Sequence, residues 1–245
     1  MKNLKLTLSY EGTHYLGWQK TKMGPSIEET LEQALAQVLR HPVKLQAASR
    51  TDAGVHAEGQ VINFFTSSSE DLVKLKKSFN GVLPRDISVL ALEEREEAFH
   101  PTLQAQGKEY HYHICLGNVQ LPFHRLVSWH YPYPLDVDEM QKAAQELVGA
   151  HDFASFSSEP TDDNVREIFS IDVSMISPDR LQIGVRGNRF LYKMVRTIVG
   201  TLVYIGCGKL KRSNIPHILA SKERAQAGVT APAHGLFLKQ VFYGK

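Results

Sequence analysis

The sequence predicts an α+β protein built from two ferredoxin-like, RNP-like βαββαβ halves with antiparallel sheets, and three observations carry that expectation. Strand-type alternation and helix-type periodicity follow one another as strand, helix, strand, strand, helix, strand over residues 4–92. A similar order returns, with insertions, between residues 108 and 243. No low-complexity segment or long polar linker divides the two runs, so they are expected to dock as domains 1–105 and 106–245, meeting at a basic catalytic cleft.

In the first half, Leu4, Leu6, Leu8 and Tyr10 alternate with Lys5, Thr7 and Ser9, the pattern of a half-buried strand. A loop with Gly12, Gly17 and Trp18 follows. Ser26 and Glu29 form a capping box, after which Ile27, Leu31, Leu35 and Val38 lay one apolar stripe along a helix. Residues 43–48 read as the second strand and residues 60–66, rich in β-branched and aromatic types, as the third. Ser68 or Asp71 caps a second helix whose Leu72, Leu75, Phe79 and Leu83 share a face; Pro84 stops it, and residues 87–92 make a fourth strand.

In the second half, residues 108–115 are a strand with Tyr110, Tyr112 and Ile114 on one face and His111, His113 and Cys115 facing outward. After a loop rich in Pro, Tyr and His, Asp136 and Glu139 open a helix with Met140, Ala143, Ala144, Leu147 and Val148 apolar. Residues 168–176 and 181–186 flank Ser177, Pro178 and Asp179, a hairpin signal. A helix is expected from about Phe190 to Ile205, and residues 237–243 close the chain as a strand.

Hydrophobic residues at 42% and charged residues at 22% describe an ordinary globular chain. Two cysteines make no disulfide framework and no signal peptide is evident, so the expected location is the cytoplasm. The longest apolar run, residues 197–207, is too short for a bilayer. Charge is unevenly spread. Residues 180–222 hold nine basic residues and no acid, a net +9 in a chain of net +2, which leaves −7 to the remainder. That asymmetry suits a polyanionic partner such as nucleic acid.

Chemistry concentrates in residues 49–60, SRTDAGVHAEGQ, which place an arginine, a carboxylate and two glycines at a strand exit. If the extended run continues, Arg50 and Asp52 share one face with Thr51 opposed, and Gly54 permits a turn. Arg196 lies in an otherwise apolar helix, so a buried guanidinium there needs an acid or phosphate, with Asp52 one candidate. Tyr110 reads as core or as a ring that stacks on a nucleobase. The His111, His113 and Cys115 row lacks a fourth ligand, and no GxGxxG, P-loop or GxSxG is present. A lone carboxylate with basic company suits a reaction at a glycosyl centre better than hydrolysis, which normally uses two carboxyl groups. The rival readings are a non-catalytic RNA-binding module, which has no use for Asp52, and a metal-dependent nucleic-acid hydrolase.

Seven blocks resemble the tRNA pseudouridine synthase A family and together cover essentially the whole chain. They are YEGTHYLGWQ (10–19), SRTDAGVHAEGQ (49–60), FNGVLPRDISV (79–89), FHPTLQAQGKEYHYHI (99–114), LVGAHDFASF (147–156), NRFLYKMVRTIVG (188–200) and APAHGLFL (231–238). The resemblance implies conversion of uridine to pseudouridine at positions 38, 39 and 40 of the tRNA anticodon stem-loop. It also implies a homodimer that binds tRNA, and no metal, organic cofactor or membrane. By position, Asp52 matches the catalytic aspartate, Arg50 the basic residue that helps flip the base, and Tyr110 the tyrosine that stacks on uracil. Arg196 matches the arginine paired with the aspartate, and Leu236 an apolar residue beside the base. Arg186, Arg189 and Lys193 are the expected contacts to RNA phosphates. Ser49 stands where the family usually has glycine, Lys211 and Arg212 replace a common Ser-Pro, and Pro101 and Leu103 depart from the usual run, which bears on loop shape and on the domain junction.

Overall fold

The computed structural model describes residues 1–244. Among them the fold is mixed α+β, running β1 (Lys2–Tyr10), α1 (Ile27–Leu39), β2 (Gln46–Ala47), β3 (His56–Thr66), α2 (Leu72–Val82), β4 (Ile87–Arg95), β5 (Ala105–Cys115), β6 (Trp129–His130), α3 (Val137–Gln145), β7 (Gly149–Asp152), β8 (Val165–Ser177), β9 (Arg180–Gly187), α4 (Met194–Gly206), α5 (Ile215–Ser221) and β10 (Leu236–Tyr243). Two compact units result: residues 1–106 with the terminal strand from Phe237, and Gly107–Leu236. No helix of the described residues is long and apolar enough to cross a membrane.

In the first unit β1 pairs antiparallel with β3 (Leu6 opposite Ile62) and with β4 (Leu6 opposite Leu92), and β2 pairs antiparallel with β3 (Ala47 opposite Ile62). The alternation in β1 does what it predicts: Leu4, Leu6 and Leu8 are completely buried. The helices contribute Ile27, Leu31 and Leu35 from α1 and Leu75 and Phe79 from α2, the last edge-on to Phe64 of β3 at 6.4 Å between ring centroids. Ser26 caps α1, its hydroxyl accepting from the Glu29 N–H at 3.3 Å, and Asp71 caps α2. Ser26 is fully buried. Ser26→Ala is therefore expected to lower stability by about 1 kcal/mol in urea unfolding, whereas an unchanged midpoint and slope would mean that the cap contributes nothing.

The second strand is shorter than the expected 43–48. Val43 and Leu45 do bury their side chains, but the Leu45 N–H donates to the Glu32 carboxylate at 3.1 Å instead of to a neighbouring strand. Residues 50–52 lie outside the strands, so a strand's pairing does not itself fix the faces of Arg50 and Asp52. The closing strand also departs from the expected division at 105/106. From Phe237 onward it belongs with the first unit, where it runs parallel to β3 (Phe237 opposite His56). Stacking of Phe237 on His56 at 4.6 Å, a Lys239–Glu58 ion pair and a Tyr243 hydroxyl bond to the Pro101 carbonyl hold it there.

In the second unit β5 pairs antiparallel with β9 (Tyr112 opposite Ile183), β9 with β8, and β8 with β7, while β6 adds parallel to the end of β5. Helix α4 is its centre, buried from Met194 through most of its length, and α3 packs against it and against β8, with Met140 lying over Gly206. The helix begins at Met194 and not near Phe190. Lys193 adopts φ 59°, a left-handed conformation that cannot belong to the helix, and Asn188 ties the preceding turn to β8 by accepting from the Glu167 N–H at 3.0 Å. The short elements β6, β7 and α5 carry too few residues to show a period in sequence. Cys115, expected on the outward face, is fully buried.

Candidate active site

In the first unit the chemistry-bearing segment is a turn clamped from two sides. Gln60, fully buried, bonds both main-chain groups of Ser49: its amide donates to the Ser49 carbonyl at 2.7 Å and its oxygen accepts the Ser49 N–H at 3.2 Å. Next, the Thr51 carbonyl accepts from the Trp18 N–H at 2.9 Å, and the Thr51 hydroxyl meets the Tyr10 hydroxyl at 2.8 Å. Asp52 opens a turn closed by the Val55 N–H donating to its carbonyl at 3.1 Å, with Gly54 at φ 77° making the bend. Beyond it, the Gly12 N–H donates to His56 Nδ1 at 3.0 Å. The loop of residues 10–19 thus grips residues 49–56 through the backbone, which leaves the half-buried Asp52 carboxylate on a fixed base while Arg50 is exposed.

The gripping loop is itself anchored. The Tyr15 hydroxyl donates to the Asp86 carboxylate at 2.8 Å, and the Asp86 carbonyl accepts from the Glu11 N–H at 2.9 Å. Burial, together with that bond, holds the Tyr15 phenol well above its usual range, so it stays a donor. Tyr10, Tyr15, Gln60 and Asp86 were legible in sequence only as members of the quoted blocks; spacing alone assigns them no role.

In the second unit a second group forms around β5, the start of α4 and residues 231–236. Tyr110 is buried, its ring edge-on to Phe190 at 5.2 Å. Tyr112 donates its hydroxyl to the Pro232 carbonyl at 2.8 Å. Burial pushes the Tyr112 phenol above the usual range, against a downward pull from the nearby Arg196. Arg196 donates through Nε to the Ala231 carbonyl at 2.7 Å, and the Ala231 N–H returns a bond to the Arg196 carbonyl at 3.1 Å. Residues 231–236 are therefore fixed to β5 and α4, and Leu236 is buried at their end. His234 lies close enough to Arg196 that burial, aided by that charge, lowers its basicity, while a bond to the Ser128 backbone opposes the shift.

Of the expected phosphate contacts, Arg186 and Arg189 are exposed and Lys193 is half-buried. Lys193 sits at the N-cap of α4, its ammonium 4.6 Å from the centre of the Tyr192 ring. The rest of the basic stretch is partly neutralised by acids distant in sequence: Arg212 pairs with Glu139 at 3.0 Å and Glu146 at 2.7 Å, and Lys222 with Asp152 at 2.8 Å. On the opposite face of β5, His111 bonds Glu109 at 2.7 Å. The described residues contain no group of three or more His, Cys, Asp or Glu arranged to hold a metal ion.

Comparison with known proteins matches residues 7–102 and 143–244 to a family model described as tRNA pseudouridine synthase. A protein named tRNA pseudouridine synthase A 2 from Protochlamydia amoebophila (strain UWE25) is 51% identical, the match covering 99% of this chain and 95% of that one. The tRNA pseudouridine synthase A of Thermoanaerobacter sp. (strain X514) is 41% identical over 99% of this chain and 100% of its own. That of Bacillus pumilus (strain SAFR-032) is 43% identical over 98% of each. Among solved structures, a chain from "Crystal Structure of a Cbf5-Nop10-Gar1 Complex" aligns at TM-score 0.39 and 12% identity, over 82% of this chain and 44% of that one, a likeness too slight to add to the assignment.

Proposed function

The chain belongs to the tRNA pseudouridine synthase family, and from that premise we propose that it acts on uridines 38, 39 and 40 of the tRNA anticodon stem-loop with Asp52 as its catalytic carboxylate. It is an isomerase that makes pseudouridine in tRNA. The observation that carries the choice of Asp52 is the clamped turn: a half-buried carboxylate on a backbone bonded at Ser49, Thr51, Asp52 and Gly12 is built for position. In this reading both halves are ferredoxin-like, the enzyme works in the cytoplasm as a homodimer, and it binds no metal or organic cofactor.

The reaction breaks the bond from C1′ to N1, turns the detached uracil, joins C1′ to C5, removes the C5 proton and returns a proton to N1. Atoms and electrons balance within the nucleotide, so no redox partner or co-substrate enters. Asp52 either attacks C1′ or assists loss of a proton from the sugar; both roles need the ionised carboxylate. Arg196 is the position that matches the family's arginine partner of the catalytic aspartate. Arg50 assists extrusion of the base, an unstacking that the pocket must repay. Tyr110 and Leu236 hold the loose ring against escape while water is excluded. The proton at C5 leaves to Tyr110 or to a water. Arg186, Arg189 and Lys193 position the RNA through its phosphates.

The test is pseudouridine mapping of an unmodified tRNA incubated with the wild-type protein. Marks confined to positions 38–40 are the expected result. Marks only at other uridines would overturn the choice of stem-loop, and no mark in any tRNA would overturn the activity itself.

A further inference from the structure

Lys108 has no role in the account above, yet its surroundings are unusual. It lies on β5 opposite Gly187 of β9, and strand alternation puts it on the same face as Tyr110, about 7 Å along the strand. It is half-buried, and its one charged neighbour of consequence is the guanidinium of Arg189. Burial pushes the Lys108 amine down to about 8, and the Arg189 charge adds to the shift. The adjacent acid, Glu109, points to the other face of the strand and bonds His111 at 2.7 Å. Neither Lys108 nor Arg189 forms an ion pair among the described residues, whereas Arg212 and Lys222 of the same basic stretch do.

Lys108 sits across from Gly187, two residues before Arg189, near enough for the Arg189 charge to act on a desolvated amine. Neither cation has an ion-pairing carboxylate among the described residues, an arrangement unfavourable in the protein alone. A bound anion reverses the sign of that contribution, because it is attracted to both and accepts charge-assisted hydrogen bonds from both. We propose that Lys108 and Arg189 form a seat for one RNA phosphate, that of the nucleotide whose base lies on Tyr110. The seat deepens the reading of Tyr110 as the base-stacking residue and rests on it. Asn188 supports the geometry: its side chain fixes the turn that carries Arg189 by bonding the Glu167 N–H, while Phe190 packs on Tyr110 from the same turn. One short segment thereby ties the phosphate seat to the base platform, and Lys108 is a binding residue within it.

The experiment measures binding of a synthetic anticodon stem-loop RNA to the full chain as a function of salt, for wild type, Lys108→Gln and Lys108→Arg. The Gln variant is expected to bind roughly tenfold more weakly, as for loss of one charged hydrogen bond, and its slope of log K against log salt is expected to shrink by about 0.7 to 0.9, one phosphate's worth. The Arg variant keeps the charge and is expected to keep most of the affinity and the slope. A second RNA carries a single uncharged methylphosphonate at the phosphate of the target uridine. It is expected to weaken binding to wild type clearly more than binding to Lys108→Gln, in which only the Arg189 contact to that phosphate remains. Equal weakening of both proteins by the methylphosphonate, or a Gln variant with wild-type slope, would overturn the seat. Failure of the activity reading is seen separately, in whether wild type makes pseudouridine in any tRNA.

Discussion

Asp52→Asn is expected to remove pseudouridine formation almost completely, by on the order of 10⁴-fold or more, as when the central group of a catalytic unit is replaced. Asparagine has nearly the same shape but is neither a nucleophile nor a base, so it fails whether Asp52 attacks C1′ or assists a deprotonation. The turn should survive the exchange. Its bonds from Trp18 to the Thr51 carbonyl, from Val55 to the residue-52 carbonyl and between Gln60 and Ser49 involve main-chain groups or other side chains. RNA binding is expected to be equal or tighter, since a negative charge near phosphates is lost. Release of tritium from uridine labelled at C5, measured beside stem-loop binding, checks both halves. A variant that binds normally and keeps more than about a tenth of the rate would remove Asp52 from the centre of the chemistry.

Gly12→Ala is the second large effect expected, and it acts through the backbone. A Cβ at Gly12 would lie 2.0 Å from the Val55 carbonyl oxygen and 2.7 Å from its carbon, both main-chain atoms of the residue that closes the Asp52 turn. No flexible side chain can yield there, so one of the two segments must move by about 1 Å, a displacement that costs on the order of 10²-fold in rate when it misplaces a catalytic group. The folded protein is expected to lose kcat much more than RNA affinity, because the proposed phosphate contacts, Arg186, Arg189 and Lys193, lie outside the displaced segments. Gly81→Ala on α2, where nothing lies within 4 Å, is the matched control and is expected to keep full activity. Wild-type kcat in Gly12→Ala would show that the turn tolerates the shift and that the clamp is not what holds Asp52.

Much of this was legible in the chain because it is local. The period-two run from Leu4 to Tyr10 and the stripe of Ile27, Leu31 and Leu35 became β1 and α1 with those residues buried. Ser26, Asp71 and Asp136 cap helices, each helix with the residue three positions on as one bonding partner. The residues expected to carry chemistry were likewise visible as types: an acid and an arginine in a glycine-bearing stretch, an arginine in an apolar helix, tyrosines on one strand face. What was misread was local pattern overruled by a distant partner. Residues 43–48 look like a strand, yet Glu32 takes the Leu45 N–H. Residues 190–192 extend the apolar run of a helix, yet Asn188 is tied to Glu167 of β8 and the left-handed backbone at Lys193 starts the helix later.

The sequence by itself determined the longer elements in their order, most of their apolar faces and the types of side chain in the quoted blocks, because each depends on neighbours within about one helical turn or two strand positions. Only the tertiary structure decided which backbone closes on which. It assigned the strand from Phe237 to the first unit, brought Gly12 against Val55, gave Arg212 its two glutamates and set Lys108 opposite Gly187. Those pairings join residues separated by some 40 to 180 positions, and a short-range period carries no information about them.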